Sequence, residues 1–293
     1  MWGPNSNRDL PVVSRRAFVL SAAAGAVLAV QPWAEEEPKE TYETISKGIR
    51  ILPGQWRPHY PWEQIAWVSP PWASHDYLWL DFPEAIFSSQ GLLFLSHINP
   101  PFPTVFHDLP PVPWKSIDEG IAFERVLPNG IAFGGNLVKV NDTKVAMRLY
   151  IRNGSQEPLN GITLQTCAFL RAITEFADYT RDNKFIHVPE KGWVLVTETG
   201  NLPEREGLYR SGWRKSGKPV ADWPVMATRS NKAERYVLMT WYTDTLSMVS
   251  NPNHPCMHAD PQFKDLAPGE ESSVDGALIF HEGLLSDIES WPI

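Results

Sequence analysis

Apolar and polar residues alternate along much of this chain in short runs separated by Pro, Gly, Asn and Asp, the period-two pattern of strands with one buried face. The clearest run is Lys144 to Arg152. Val145, Met147, Leu149 and Ile151 are apolar, while Arg148 and Arg152, at intervening positions, are charged. Similar runs predict strands over 77–80, 85–87, 92–97, 121–126, 131–140, 144–152, 162–172, 192–198, 236–242 and 273–280. Asn141-Asp142 and Asn129-Gly130, placed between such runs, have the residues of hairpin turns. Prolines number 27 and glycines 19, and no long segment of helical period interrupts the strands. This pattern predicts an all-β fold, a large antiparallel β-sandwich spanning residues 50–293 as a single domain.

The N-terminus follows a different pattern. Arg15 and Arg16 directly precede an unbroken run of apolar and small residues from Ala17 to Val30. A charged segment, a short apolar core and small residues near Ala29 or Ala34 are the order of a secretory signal. Fourteen residues are too few for an ordinary spanning helix, which needs about 20. Residues 1–34 are therefore expected to be a twin-arginine signal peptide, and the charged stretch 35–49 a linker. The expected partner is the twin-arginine export machinery, the expected location periplasmic or extracellular. No apolar stretch of spanning length follows, so no transmembrane segment is expected in the processed protein.

Composition narrows the partners. Without residues 1–34, which contain three arginines and Asp9, 23 Lys and Arg face 33 Asp and Glu, a formal charge of −10. Nucleic acid is excluded as a partner on this ground, because phosphate backbones are held by clustered Lys and Arg. Cys167 and Cys256 are the two cysteines. An oxidising compartment would allow them to pair, whereas export after folding in the cytoplasm requires a core that forms without a disulfide, so both states stay open.

Several segments resemble a known group. Asn153-Gly-Ser-Gln-Glu-Pro-Leu159, Gly161-Ile-Thr-Leu-Gln-Thr-Cys167, Pro255-Cys-Met-His-Ala-Asp-Pro261 and Asp265-Leu-Ala-Pro-Gly-Glu270 together resemble uncharacterised secreted proteins of planctomycete-type bacteria. The Pro-Gly-Glu entry into the strand Gly276–Phe280 is also similar to the supersandwich of galactose-mutarotase-like domains. That resemblance implies an architecture found in sugar epimerases, polysaccharide lyases and glycoside hydrolases, and no catalytic residue is carried over from it.

Chemistry concentrates in two places. The first is Asn251-Pro-Asn-His254-Pro-Cys256-Met257-His258-Ala-Asp260-Pro261, read as a loop, where His258 and Asp260 form a candidate acid and base pair. His254, Cys256, Met257 and His258 are all copper-type ligands, yet four neighbouring donors lack the spread spacing of a cupredoxin. No metal is assigned on that basis, and the cofactor is unknown. The plainer reading is a rigid turn with a buried cysteine. The second place lies before Trp114, where half or more of the 13 Trp and 8 His fall. There His75 and Asp76 join the candidate catalytic set, with Trp72 and Trp79 as platforms for sugar rings. Arg148 and Arg171 could hold a carboxylate of a glycan. The plainer alternative puts the tryptophans in the core and the arginines in solvent.

The segments carry no nucleophile elbow, phosphate loop, dinucleotide fingerprint or His-Glu-x-x-His. Two functions from different classes follow. One is a carbohydrate-active or carbohydrate-binding exported protein, of epimerase, lyase or glycoside-hydrolase type if catalytic. The other is a non-catalytic interaction module of unknown ligand, or a protein with a copper-type site.

Overall fold

The structure is a computed structural model that describes residues 47–97, 103–170, 172–177, 183–199, 209–212, 221–250 and 256–288. Residues 1–34, expected to be a signal peptide, most of the expected linker 35–49, Arg171 and His254 lie outside the described residues. The described residues form seventeen strands: β1 (Ile51–Gly54), β2 (Ile65–Val68), β3 (Leu78–Ser88), β4 (Gly91–Leu95), β5 (Lys115–Ile117), β6 (Gly120–Val126), β7 (Ala132–Lys139), β8 (Lys144–Arg152), β9 (Thr163–Phe169), β10 (Lys184–Val188), β11 (Gly192–Leu195), β12 (Tyr209–Gly212), β13 (Val225–Arg229), β14 (Arg235–Thr240), β15 (Thr245–Ser250), β16 (Cys256–Pro261) and β17 (Glu271–Glu282). Helix among the described residues is limited to single 3₁₀ turns, such as Thr174–Phe176. None of these is long and apolar enough to cross a membrane.

Two antiparallel sheets stack face to face. The first runs β1-β2-β3-β9-β16-β15-β12, with β4 also paired to β3; the second runs β11-β10-β13-β14-β17-β8-β7-β6-β5. The expected sandwich is thus the observed fold. Alternation decides which side chains meet between the sheets: Val145, Met147, Leu149 and Ile151 of β8 are buried, while Arg148 and Arg152 point to solvent. From the first sheet, Leu78, Leu80 and Phe82 of β3 and Met257 and Ala259 of β16 enter the same core. Phe82 stacks on Trp241 with ring centres 6.0 Å apart, and the indole N–H donates to the Thr166 hydroxyl. A buried Trp needs such a partner, because an unpaired N–H away from water costs free energy.

Turn chemistry agrees with the sequence where it was strongest. Gly130 closes the β6–β7 hairpin at φ +87°, and a Cβ there would lie 2.7 Å from the Gly154 carbonyl oxygen. β7 and β8 join through Asn141 and Asp142, where the Asn141 side chain accepts the Thr143 N–H. Pairing does not always follow chain order: β3 lies next to β9, and β9 next to β16. These long-range pairings assemble the site.

Candidate functional site

The segment read as a loop around His258 is strand β16, and this changes what its side chains can do. Successive side chains on a strand leave opposite faces. Cys256, His258 and Asp260 point away from the second sheet, while Met257 points into the core, where its sulfur accepts a hydrogen bond from Thr228. The suggested copper-type set is therefore split, because Met257 cannot share a ligand with Cys256 and His258.

The same alternation on neighbouring strands fills the outer face of the first sheet. Register aligns Trp67 of β2, Trp79 of β3, Phe169 of β9 and Cys256 of β16 in one row. The adjacent row holds Asp81, Cys167, His258, Val249 and Arg210. Aromatic and ionisable residues thus lie in parallel stripes. A register shift between Asp81 and Ala85 adds Glu84, which strict alternation would have sent inward.

Distances show one connected cluster. Nδ1 of His258 lies 3.7 Å from Oε2 of Glu84 and 3.6 Å from Oδ1 of Asp260. Nε2 of His97 lies 3.6 Å from the other oxygen of Glu84. Asp260 accepts hydrogen bonds from the Thr166 N–H and the Ser247 hydroxyl, and Arg210 reaches within 3.9 Å of it while donating to Ser247. On the other flank Arg57 donates to Asp81 at 3.2 Å and to Glu63 at 3.1 Å. Glu63 also accepts the backbone N–H groups of Trp56 and Arg57, which ties the loop 55–64 down over the face. That loop delivers Trp56, stacked on Phe169 at 4.4 Å and edge-on to Trp79 at 5.6 Å, with the Arg57 guanidinium 3.7 Å above its ring. Gly54 lets the Trp67 ring lie over β1, since a Cβ would sit 2.5 Å from the indole.

Burial sets the protonation of this cluster. Asp81 is 1% exposed, and burial pushes its carboxyl up to about 7, with Arg57 opposing the rise and Glu84 adding to it. Burial alone would lower His258, but Cys167, Asp260 and Glu84 outweigh it and hold the imidazole well above its ordinary value. The hydrogen bond with Cys256, together with burial, holds the Cys167 thiol well above the usual range. An acid whose pKa is raised on folding contributes stability below its unfolded value of about 3.9, and loses it as pH rises through about 7. Asp81→Asn cannot ionise and escapes this loss. Its melting temperature relative to the wild type is expected to rise between about pH 5 and about pH 8. Thermal denaturation at both pH values checks the sign, and a falling difference would contradict the assignment.

The structure brings only some of the sequence candidates together. His258, Asp260 and Trp79 share the outer face of the first sheet. Trp72 is buried against Phe176 and Phe280 under the Arg235 guanidinium, beside a separate cavity of about 440 Å³ that Lys47 and Glu282 also line. His75 is exposed, and the Asp76 carboxylate accepts the N–H and hydroxyl of Thr174, which fastens a turn. Arg148 lies on the outer face of the second sheet, across the sandwich, hydrogen-bonded to Ser273 and 3.7 Å from Asp275. Arg57, Asp81 and His97 belong to the aromatic-rich stretch before Trp114, where the sequence assigns them no individual role, and nothing in the sequence singles out Glu84 or Arg210. Asp81 was within reach: extending the strand 77–80 by one residue puts it on the face of Trp79.

No protein-family model matches the sequence, and no curated protein matches it either. Solved structures that align with the chain include proteins described as galactose mutarotase-like. A galactose mutarotase-like protein from Clostridium acetobutylicum aligns with TM-score 0.45 and 8% identity over 80% of this chain and 99% of that one. One from Lactobacillus casei aligns with TM-score 0.44 and 8% identity over 80% and 100%. A GalM/aldose epimerase homologue from C. elegans aligns with TM-score 0.42 and 10% identity over 80% and 96%. Neither fold nor residue role is taken from these likenesses.

Proposed function

We propose that the outer face of the first sheet is a carbohydrate-recognition surface and that the protein is an exported glycan-binding protein. The observation that carries this reading is the half-buried aromatic set Trp56, Trp67 and Trp79 on that face, beside the partly exposed Glu84, His97 and Arg210. A sugar ring has an apolar face of C–H groups and a rim of hydroxyls. It is matched by an aromatic platform with directional donors and acceptors alongside. The net negative charge favours neutral glycans over polyanionic ones, through long-range repulsion.

A glycan array probed with the purified protein tests this. Retention of a set of neutral oligosaccharides is the expected result, lost in Trp79→Ala and kept in Arg148→Ala, whose side chain lies across the sandwich. An array on which the wild type retains nothing would overturn the reading.

Export is the second half of the proposal and rests on Arg15 and Arg16 ahead of the apolar run. Replacing both by lysine is expected to leave the unprocessed chain in the cytoplasm, as read by cell fractionation and size of the product. Normal processing of that variant would contradict it.

A further inference from the structure

Beneath the aromatic shelf lies a donor set of a different chemistry. Cys167 of β9 and Cys256 and His258 of β16 each offer one ligand atom, and the three atoms lie within 4.8 Å of one another. All three residues are buried, at 2%, 0% and 8% exposure. They come from the diagonal of one strand pair, Cys256 opposite Phe169 and His258 opposite Cys167, so their backbones are fixed by the ladder. Cys167, Phe169 and Cys256 form a small apolar nest closed by Trp56 and Trp79, which keeps bulk water from competing for a bound ion. Beside the imidazole, Oε2 of Glu84 is buried and takes no hydrogen bond from the described residues, while Asp260 lies 3.6 Å from Nδ1. These carboxylates supply negative charge that a cation would offset and brace the ring, as carboxylates do behind metal-bound histidines.

We propose that Cys167, Cys256 and His258 form a three-ligand site for a thiophilic cation, zinc(II) by the donor set, on the inner side of the carbohydrate-recognition face. Two sulfurs and one imidazole suit zinc, and three protein ligands leave a fourth position open. As the ion binds, the thiol proton of each cysteine and the proton of the His258 ring nitrogen that takes up the ion pass to solvent, and no electron is transferred. Two features separate this set from the neighbouring group of Asp81, Glu84 and His97, whose ligand atoms also lie within 4.8 Å of one another. That group is oxygen-rich, and Asp81 is already paired with Arg57.

The test uses the full chain, reduced and then dialysed against zinc, with elemental analysis of the bound metal. One zinc per chain is expected, and loss of it in Cys167→Ser and in Cys256→Ser. Cobalt(II) loaded into the wild type is expected to give an intense thiolate-to-cobalt charge-transfer band, a readout that stands even if the cysteine variants fail to fold. Three results would each overturn the proposal. Reduced wild type could bind no zinc. Cobalt could bind without the thiolate band. Zinc could persist in both cysteine variants and be lost in His97→Gln, which moves the ion to the oxygen donors.

Discussion

Phe82→Ala and Trp241→Ala are each expected to cost about 3–5 kcal/mol of stability, the range for a large aromatic removed from a packed core. Both side chains are fully buried, and they stack on each other where β3 faces the second half of the chain. Neither site can collapse easily, because each ring is held by strands whose positions are fixed by cross-strand pairing. Trp241→Ala also removes the indole N–H that the Thr166 hydroxyl accepts, a hydroxyl that donates to the Ala259 carbonyl and so ties β9 to β16 under the site. For a domain of this size such losses lower the melting temperature by roughly 10 °C. Because the two rings touch, the double variant should lose less than the sum of the singles. Arg148→Ala, at an exposed ion pair, should stay within about 0.5 kcal/mol of the wild type. Urea denaturation of the four variants and the wild type checks the order, and equal stability of Trp241→Ala and the wild type would contradict the packing described.

Trp79→Ala is expected to weaken glycan binding by about 2 kcal/mol, roughly 30-fold in affinity, while leaving the fold intact. Trp79 is partly exposed on the outer face and central to its aromatic row, with Trp67 on one side and Phe169 on the other. Its indole therefore offers contact area that is pre-organised by packing, so little side-chain entropy is lost on binding. Trp79→Phe should recover much of the affinity, since the ring face remains. Titration by calorimetry with an array-positive oligosaccharide measures both. Unchanged affinity in Trp79→Ala would remove the aromatic row from the binding account.

What could be read from the sequence depended on which faces of a strand are wet. β8 and β17 carry one wet face, and their alternation marks them out. β16 does not: Cys256-Met-His-Ala-Asp-Pro261 is buried throughout, so no polar stripe signals a strand, and the flanking prolines suggested a loop. The inner strands β13 and β15 are missed for the same reason, each buried at nearly every position. The site was harder still. His258 and Asp260 stood out as chemistry, but Asp81, Glu84 and Cys167 reach them only through the pairing of β3 with β9 and of β9 with β16, strands nearly a hundred residues apart. Glu84 also needs the irregular register after Asp81, which no local pattern announces. Trp72 and Trp79 look alike in sequence. Only the packed structure separates Trp72, with 7% exposure in the core, from Trp79 on the outer face.

The central claim is that sugars bind across the outer face of the first sheet, and a crystal structure of the protein with its tightest-binding oligosaccharide tests it most directly. The account predicts a sugar ring stacked on the Trp67–Trp79 row, with hydroxyls hydrogen-bonded to Glu84, His97 and Arg210 of the neighbouring cluster. A ring seated instead in the cavity beside Trp72, or on the outer face of the second sheet around Arg148, would contradict it.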